Sequence, residues 1–116
     1  MNDGLTEWLH ECLVPMGAVS IRKMFGGAGV YVDGDIIAIV ADDEVWFKSD
    51  ADADAVYDAA GMARFQYDFG DRKGTMNYRR APSDVYDDAD EMRRWAQLAL
   101  AAAERAARKK SAKKKR

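Results

Sequence analysis

A glycine-rich segment with strand-forming residues on both sides, RKMFGGAGVY at residues 22–31, constrains the fold of this chain more than any other stretch. Three glycines interrupt residues that favour β-structure, and no helical period runs through them. We therefore predict a single strand over residues 19–31 that is bent or bulged at its glycines for packing reasons. The Asp33-Gly34 pair that follows is typical of a tight hairpin turn, so a sheet begins here.

The rest of the chain alternates between helical and strand patterns. Apolar residues at helical spacing predict a helix over residues 3–13, and residues 36–41 and 44–48 read as a central strand and its alternating neighbour. A short helix, a hairpin over residues 65–79 and a long C-terminal helix with a stripe of small apolar residues follow. The order α-β-β-β-α-β-β-α, with short connections, predicts a two-layer α+β domain with a five-stranded, mainly antiparallel sheet.

The size and composition of the chain exclude several classes of protein. Its 116 residues suffice for one core, and its longest apolar run is far shorter than the roughly 20 residues of a membrane span. The N-terminus lacks the pattern of a secretory signal, so we expect a cytoplasmic protein without a membrane partner. With a single cysteine, Cys12, at a core position of the first helix and a single histidine, His10, on its polar side, we expect neither a metal nor a cofactor.

Charge divides the chain into two parts. All 20 acidic residues lie at or before Glu104, whereas eight of the 18 basic residues follow it. We predict an acidic domain over residues 1–104 and a basic, disordered tail over residues 105–116. The tail could attach to nucleic acid or serve only as a solubility extension. Its candidate phosphate contacts are Arg108, Lys109, Lys110, Lys113, Lys114, Lys115 and Arg116.

A second group of basic residues lies near the ends of predicted strands. Strand ends converge on one rim of a sheet, which makes this group a candidate patch for an anion or a partner. Its members are Arg22, Lys23, Lys48, Arg79 and Arg80. Our specific hypothesis is that Lys23, Lys48 and Arg79 share one patch, and ordinary solvated or ion-paired surface charge is the competing interpretation.

Trp46 is a candidate interaction residue because of its strand alternation. It lies opposite Val45 and Phe47 across the predicted third strand. Either it is exposed and marks a dimer or partner surface, or a helix covers it.

No catalytic pattern is present in the sequence. The glycines lead into a predicted strand rather than a helix, and their spacing matches neither a dinucleotide fingerprint nor a P-loop. The acidic clusters fall in a predicted turn and at a predicted helix start, where carboxylates are common for ordinary reasons. The chain is therefore not expected to be an enzyme.

Several short motifs occur along the chain together with the glycine-rich segment: Asp33-Gly34, Lys48, FQY at residues 65–67 and MNYRRAP at residues 76–82. Together they resemble the N-terminal domain of the TfoX family, also called Sxy-like. The likeness runs from about Gly17 to about Ala101. Its most specific part is a Met-Phe-Gly-Gly core with a downstream Met-x-Tyr-x-x-Ala-Pro. The motif residues are Met24, Phe25, Gly26, Gly27, Gly29, Tyr31, Gly34, Met76, Tyr78 and Pro82.

This resemblance implies the same element order and a link to bacterial regulators of competence genes. Such regulators are thought to cooperate with the cyclic-AMP receptor protein at promoters and typically carry a second, helical domain. We therefore expect a stand-alone N-terminal module without enzymatic activity, with a protein partner such as a transcription regulator, and with a homodimer through an exposed sheet face as one arrangement. Nucleic-acid attachment through the tail and binding of a small anion at the basic rim are the alternatives.

Overall fold

The computed structural model describes the backbone of residues 3–24, 26–69 and 72–114, and the side chains of residues 4–23, 26–66 and 76–110. Phe25, Lys115 and Arg116 lie outside the described residues, as do the side chains of Met24, Lys113 and Lys114. Three helices and six strands make up the fold: α1 (Asp3–Leu13), β1 (Val19–Met24), β2 (Gly27–Val32), β3 (Asp35–Ala41), β4 (Glu44–Lys48), α2 (Ala51–Ala59), β5 (Arg64–Phe69), β6 (Arg72–Arg80) and α3 (Ala89–Lys114).

All six strands form one open antiparallel sheet in the order β1-β2-β3-β4-β6-β5. The α+β class and the order of the helices are as predicted, but the sheet has six strands rather than five. The segment predicted as one bent strand is a hairpin, in which Met24 pairs with Gly27. Gly26 has a φ of +79°, which allows the chain to reverse there instead of bending.

Two further hairpins use turns with left-handed backbone at both central residues. Asp33 and Gly34 have φ values of 51° and 87°, and Asp42 and Asp43 have 53° and 59°. Positive φ at both positions is the requirement of a type I′ turn, whose twist matches that of the strands it joins. These turns keep β2, β3 and β4 adjacent in a meander.

The helices α1 and α3 cover one face of the sheet. The hydrophobic core lies between these helices and the strands. Leu9 and Leu13 of α1 are fully buried there, and Ala96 and Ala99 of α3 lie against the strands. Small side chains let a helix approach a sheet closely, so the alanine stripe sets the distance between α3 and β3. Cys12 is buried in the same layer, and burial raises the pKa of its thiol.

The helices begin and end at residues that cap them. The Ala53 amide donates to Asp50 Oδ1 at 2.9 Å, so Asp50 caps α2, and Gly61 follows its last turn with a φ of +74°. Asp88 accepts from the amides of the first turn of α3. This helix continues to Lys114, past Glu104, whereas a disordered end was predicted from the charge run; alanine, lysine and arginine are all strong helix formers. The domain boundary at Glu104 stays a prediction.

A candidate interaction surface on the open sheet face

The sheet face opposite α1 and α3 is the candidate site, and we call it the open face. Strand alternation decides which side chains it carries: Val45 and Phe47 join the core, whereas Trp46 between them points away. Residues paired directly across the ladder share a face, so the pairings extend the open face from Trp46 over the other strands. It comprises Ser20, Arg22, Gly29, Tyr31, Ile36, Ile39, Trp46, Lys48, Tyr78 and Arg80.

Three basic side chains of the open face each lie over an aromatic ring. The Arg22 guanidinium carbon is 5.4 Å from the centre of the Tyr31 ring, and Lys48 Nζ is 5.7 Å from that of Tyr78. The third cation, Arg80, lies 5.1 Å from the Trp46 ring. A cation in this position gains about 0.5–1 kcal/mol at an exposed site. The rings therefore hold three positive charges in defined places.

Trp46 is neither exposed nor covered by a helix. The Phe65 ring packs edge-on against it, with 5.0 Å between centroids and an interplanar angle of 85°, and Arg80 covers its face. Only 8% of Trp46 remains accessible. Both sequence interpretations therefore missed the cover, because it comes from β5 and β6 rather than from a helix.

Two tyrosines of the open face interact electrostatically. Burial raises the pKa of the Tyr78 hydroxyl, and the charge of Tyr31 raises it further. Tyr31 belongs to β2 and Tyr78 to β6, with β3 and β4 between them. The interaction therefore extends across the open face rather than between adjacent strands.

The cations of the open face differ in their counter-charges. Arg80 Nε lies 3.4 Å from Glu44 Oε1, and both side chains are well exposed, so that ion pair is weak. Within the side chains that the structure describes, neither Arg22 nor Lys48 forms an ion pair. Arg22 and Lys48 are thus the positive charges available to a partner.

Arg79 belongs to the other side of the sheet. It pairs with Phe47 across the ladder and is 4% exposed. Its Nη1 donates to Asp54 at 3.0 Å and its Nη2 to Asp58 at 2.5 Å and to the Met62 carbonyl at 2.8 Å. Arg79 is therefore a structural residue that ties β6 to α2.

The predicted patch of Lys23, Lys48 and Arg79 is consequently divided by the sheet. Lys48 lies on the open face and Arg79 on the helix-covered face, because Arg79 pairs with the strand neighbour of Lys48. Lys23 pairs with Ala28, whose side chain is in the core, and it stays exposed at the edge strand. The structure instead brings Arg22, Lys48 and Arg80 onto one face.

The Asp54 carboxylate collects several of these contacts on the covered side. It accepts from Ser49 Oγ at 2.7 Å and from Arg64 at 3.1 Å in addition to Arg79. Burial alone would raise the pKa of Asp54, but these hydrogen bonds outweigh it and hold the pKa below its usual range.

Gly27 has a packing role in the sheet. A Cβ at this position would overlap the carbonyl oxygen of Val40, so any side chain would push β2 and β3 apart. The residues after it form β2 rather than a helix, which leaves no helix N-terminus to receive a phosphate. Pro82 has a comparable structural place, since it ends β6 before the short 3₁₀ turn Ser83–Tyr86.

An apolar groove of about 300 Å³ adjoins the open face. Its lining includes Gly26 and Gly27, the end of β3, Phe65 and Met76. Ile39 contributes from the open face itself, and Asp42 is also part of the lining. Sequence analysis missed Ile39 and Phe65 as site residues, although their alternation with polar or core neighbours carried the signal.

The first residue of the predicted basic tail is bound to the domain. Arg105 donates from Nε to Asp50 Oδ2 at 2.6 Å and from Nη2 to Oδ1 at 2.9 Å, so it belongs to the domain. Arg108, Lys109 and Lys110 are exposed on α3. Among the described side chains, no group of three or more histidine, cysteine or acidic residues is placed to hold a metal ion.

A sequence model of the TfoX N-terminal domain matches residues 11–103 of this chain. No curated protein matches it. The matched span includes the whole sheet and most of α3. Within the described part of the chain, no helix has both the length and the apolar character needed to cross a membrane.

Proposed function

Because the chain belongs to the TfoX N-terminal domain family, we propose that it is a non-enzymatic regulatory module that binds an acidic protein partner through its open face. One observation carries this proposal: Arg22, Lys48 and Arg80 are held over aromatic rings on a sheet face that α1 and α3 leave uncovered. The regulatory setting, including a role with a transcription regulator of competence genes, is what the family resemblance implies.

The cation–ring pairs support a binding role because they lower the entropy lost on binding. A free lysine or arginine loses rotamer freedom when a partner fixes it, at a cost of about 0.5–1.5 kcal/mol. Rings that already hold these side chains reduce that loss. The charges also steer an acidic partner toward the face during diffusional encounter.

The spacing of the cations favours a macromolecule over a small anion. Arg22 lies on β1 and Arg80 on β6, four strand positions away. Neighbouring strands lie about 4.8 Å apart, so the backbones that carry Arg22 and Arg80 are several strand widths apart, and three separate cations match a ligand with several acidic groups. Two copies joined through the open face would bring like charges together, so a homodimer of that kind is disfavoured.

A non-enzymatic role is supported by the state of the perturbed ionisable groups. Catalytic groups are commonly found by shifted pKa values in a cleft. Here the shifted carboxylates of Asp50 and Asp54 are engaged by Arg105, Arg64 and Arg79 in contacts between elements of the fold.

Affinity capture with paired variants tests the proposal. The variant Arg22→Ala/Lys48→Ala/Arg80→Ala removes the three open-face cations, and Lys23→Ala/Arg94→Ala/Lys109→Ala removes the same charge from exposed positions elsewhere. We expect a partner that native cells supply to be lost by the first variant and kept by the second. Direct binding should then be measured with that purified partner. Equal retention by both variants would exclude the open face.

The basic end of α3 supports a second candidate function, attachment to nucleic acid. Arg108, Lys109 and Lys110 are exposed, and the sequence adds Lys113, Lys114, Lys115 and Arg116. Truncation after Ala107 keeps Arg105 in place and removes residues 108–116, which contain all seven of these basic residues. If the tail binds DNA, retention on DNA at low salt should fall on truncation and should weaken steeply with salt in the full chain. Unchanged retention would exclude the tail.

A further inference from the structure

The apolar groove beside the open face has an exposed apolar side chain at its wall. The large apolar residues that are well exposed among the described side chains are Val14, Val56 and Met76. Of these, Met76 alone lines the groove. Methionine is flexible and polarisable, and it is common where a surface adapts to an apolar ligand group. The lining also includes Gly27, where no side chain fits.

Two arginines lie near residues that line the groove. Ile39 pairs with Gly29, and Gly29 pairs with Arg22 on β1. Phe65 packs on Trp46, over which Arg80 lies. One residue, Gly29, therefore lies between Ile39 of the groove and Arg22. One residue, Trp46, likewise lies between Phe65 of the groove and Arg80.

The described lining of the groove also contains an acidic residue. Asp42 belongs to the lining, and Asp43 and Glu44 follow it in the chain. An acidic ligand group would be repelled beside Asp42 and attracted toward Arg22. The electrostatics of the groove are therefore directional.

We infer that this groove takes one large apolar side chain of an extended partner segment whose acidic residues lie on one side of that anchor. The inference rests on the proposed function of the open face and adds the chemistry of the segment it recognises. A volume of about 300 Å³ is at the small end of ligand cavities, which suits a single leucine, methionine or phenylalanine side chain rather than a folded element. Buried apolar anchors of this kind, ringed by polar contacts, dominate many interfaces.

Titration with short synthetic peptides tests the inference. The probe peptide has one leucine followed by a run of glutamates and preceded by neutral residues. Three control peptides replace the leucine by alanine, replace the glutamates by glutamine, or place glutamates on both sides of the leucine. Binding is followed through the methyl NMR signals of Met76 and Ile39, in the full chain and in two variants, Met76→Gln and Val56→Gln. Val56 on α2 is 43% exposed and Met76 is 42% exposed, which makes the pair a matched control.

We expect the probe peptide to shift the Met76 and Ile39 signals and to bind about tenfold more weakly to Met76→Gln than to Val56→Gln. Each control peptide should also bind more weakly, and added salt should weaken the probe. If peptides bind in a manner that needs the glutamates but not the leucine or Met76, the groove inference is wrong while the proposed function stands. If no peptide binds, the groove inference is wrong as well, and the capture experiment with the open-face variant decides the proposed function separately.

Discussion

At the scale of single residues, side chains on adjacent positions of β6 have opposite roles. Arg79 is buried against α2, whereas Arg80 and Tyr78 belong to the open face. Neighbouring residues of a strand point to opposite faces of the sheet, so this division could be predicted from the sequence. What the sequence lacked was the register: which strand lies beside β6, and therefore which lysine shares a face with which arginine.

We predict that Arg79→Met lowers the free energy of unfolding by about 2–3 kcal/mol, because removing one partner of a buried ion pair leaves the other uncompensated. The cost stays at the low end because Asp58 is exposed enough to be hydrated and Arg64 still reaches Asp54. Urea denaturation measures the change. Arg94→Met, at an exposed pair with Glu91, is the control and should change it by less than about 0.5 kcal/mol. Equal effects of the two variants would contradict the structural role of Arg79.

Gly27 gives a second prediction at this scale. Gly27→Ala should destabilise the fold by about 3 kcal/mol or more, because the new Cβ overlaps the Val40 carbonyl oxygen. Gly61→Ala has open space around the new Cβ but keeps a positive φ, and should cost about 1 kcal/mol. Denaturation of both variants compares the two penalties. A smaller effect at Gly27 would mean that β3 moves away easily.

At the scale of elements, Asp50 joins α2 to α3. It caps the first turn of α2 and accepts both hydrogen bonds from Arg105. The side-chain hydrogen bond from Arg105 is the main cause that lowers the pKa of Asp50 to about 2, assisted by the Ala53 amide and opposed by burial. The ion pair therefore fastens the C-terminal part of α3 to the domain.

This linkage predicts a pH dependence of stability. A carboxyl whose pKa is lower in the folded state stabilises the fold above its unfolded pKa, near 4, and loses that contribution as pH falls toward 2. Arg105→Gln should therefore reduce stability at pH 7 and make the loss of stability between pH 4 and pH 2 shallower than in the unaltered chain. Thermal unfolding across this pH range measures both effects. Parallel pH profiles would show that Arg105 does not control the titration of Asp50.

The elements also show where sequence patterns sufficed and where they did not. Helical spacing predicted α1 and the alanine stripe of α3, and the Asp33-Gly34 pair predicted its turn. The sequence pattern predicts one bent strand in place of the hairpin between β1 and β2, because apolar residues continue on both sides of Gly26. A turn needs only one or two permissive residues, so local sequence does not distinguish a bulge from a reversal.

At the scale of the whole molecule, the open face depended on contacts between distant strands. Phe65 and Trp46 come together only after β6 has been inserted between β4 and β5. The cation–ring pairs likewise join residues whose proximity follows from the sheet and not from spacing along the chain. The sequence therefore identified candidate cations, and the fold selected among them.

Two truncations separate the domain from its basic end. A chain ending after Ala107 should keep the melting temperature of the full chain, because it retains Arg105 and the α3 residues buried in the core. A chain ending after Glu104 should melt at a lower temperature, because it loses the ion pair with Asp50. Calorimetry of the two chains measures the difference. Identical melting temperatures would place the boundary at Glu104, as the charge pattern suggested.

The open sheet has a further consequence, since its outermost strand β1 offers unpaired backbone amides and carbonyls to solvent. Arg22 and Lys23 are exposed on that strand, and edge charges are a common protection against fibrillar stacking of one copy on another. The exposed charge of Arg22 thus protects β1 against polymerisation, in addition to the partner contact that the proposed function gives it. Variants that neutralise Arg22 should assemble more readily through edge-to-edge pairing of β1, which light scattering would detect. A partner bound along β1 would suppress this assembly.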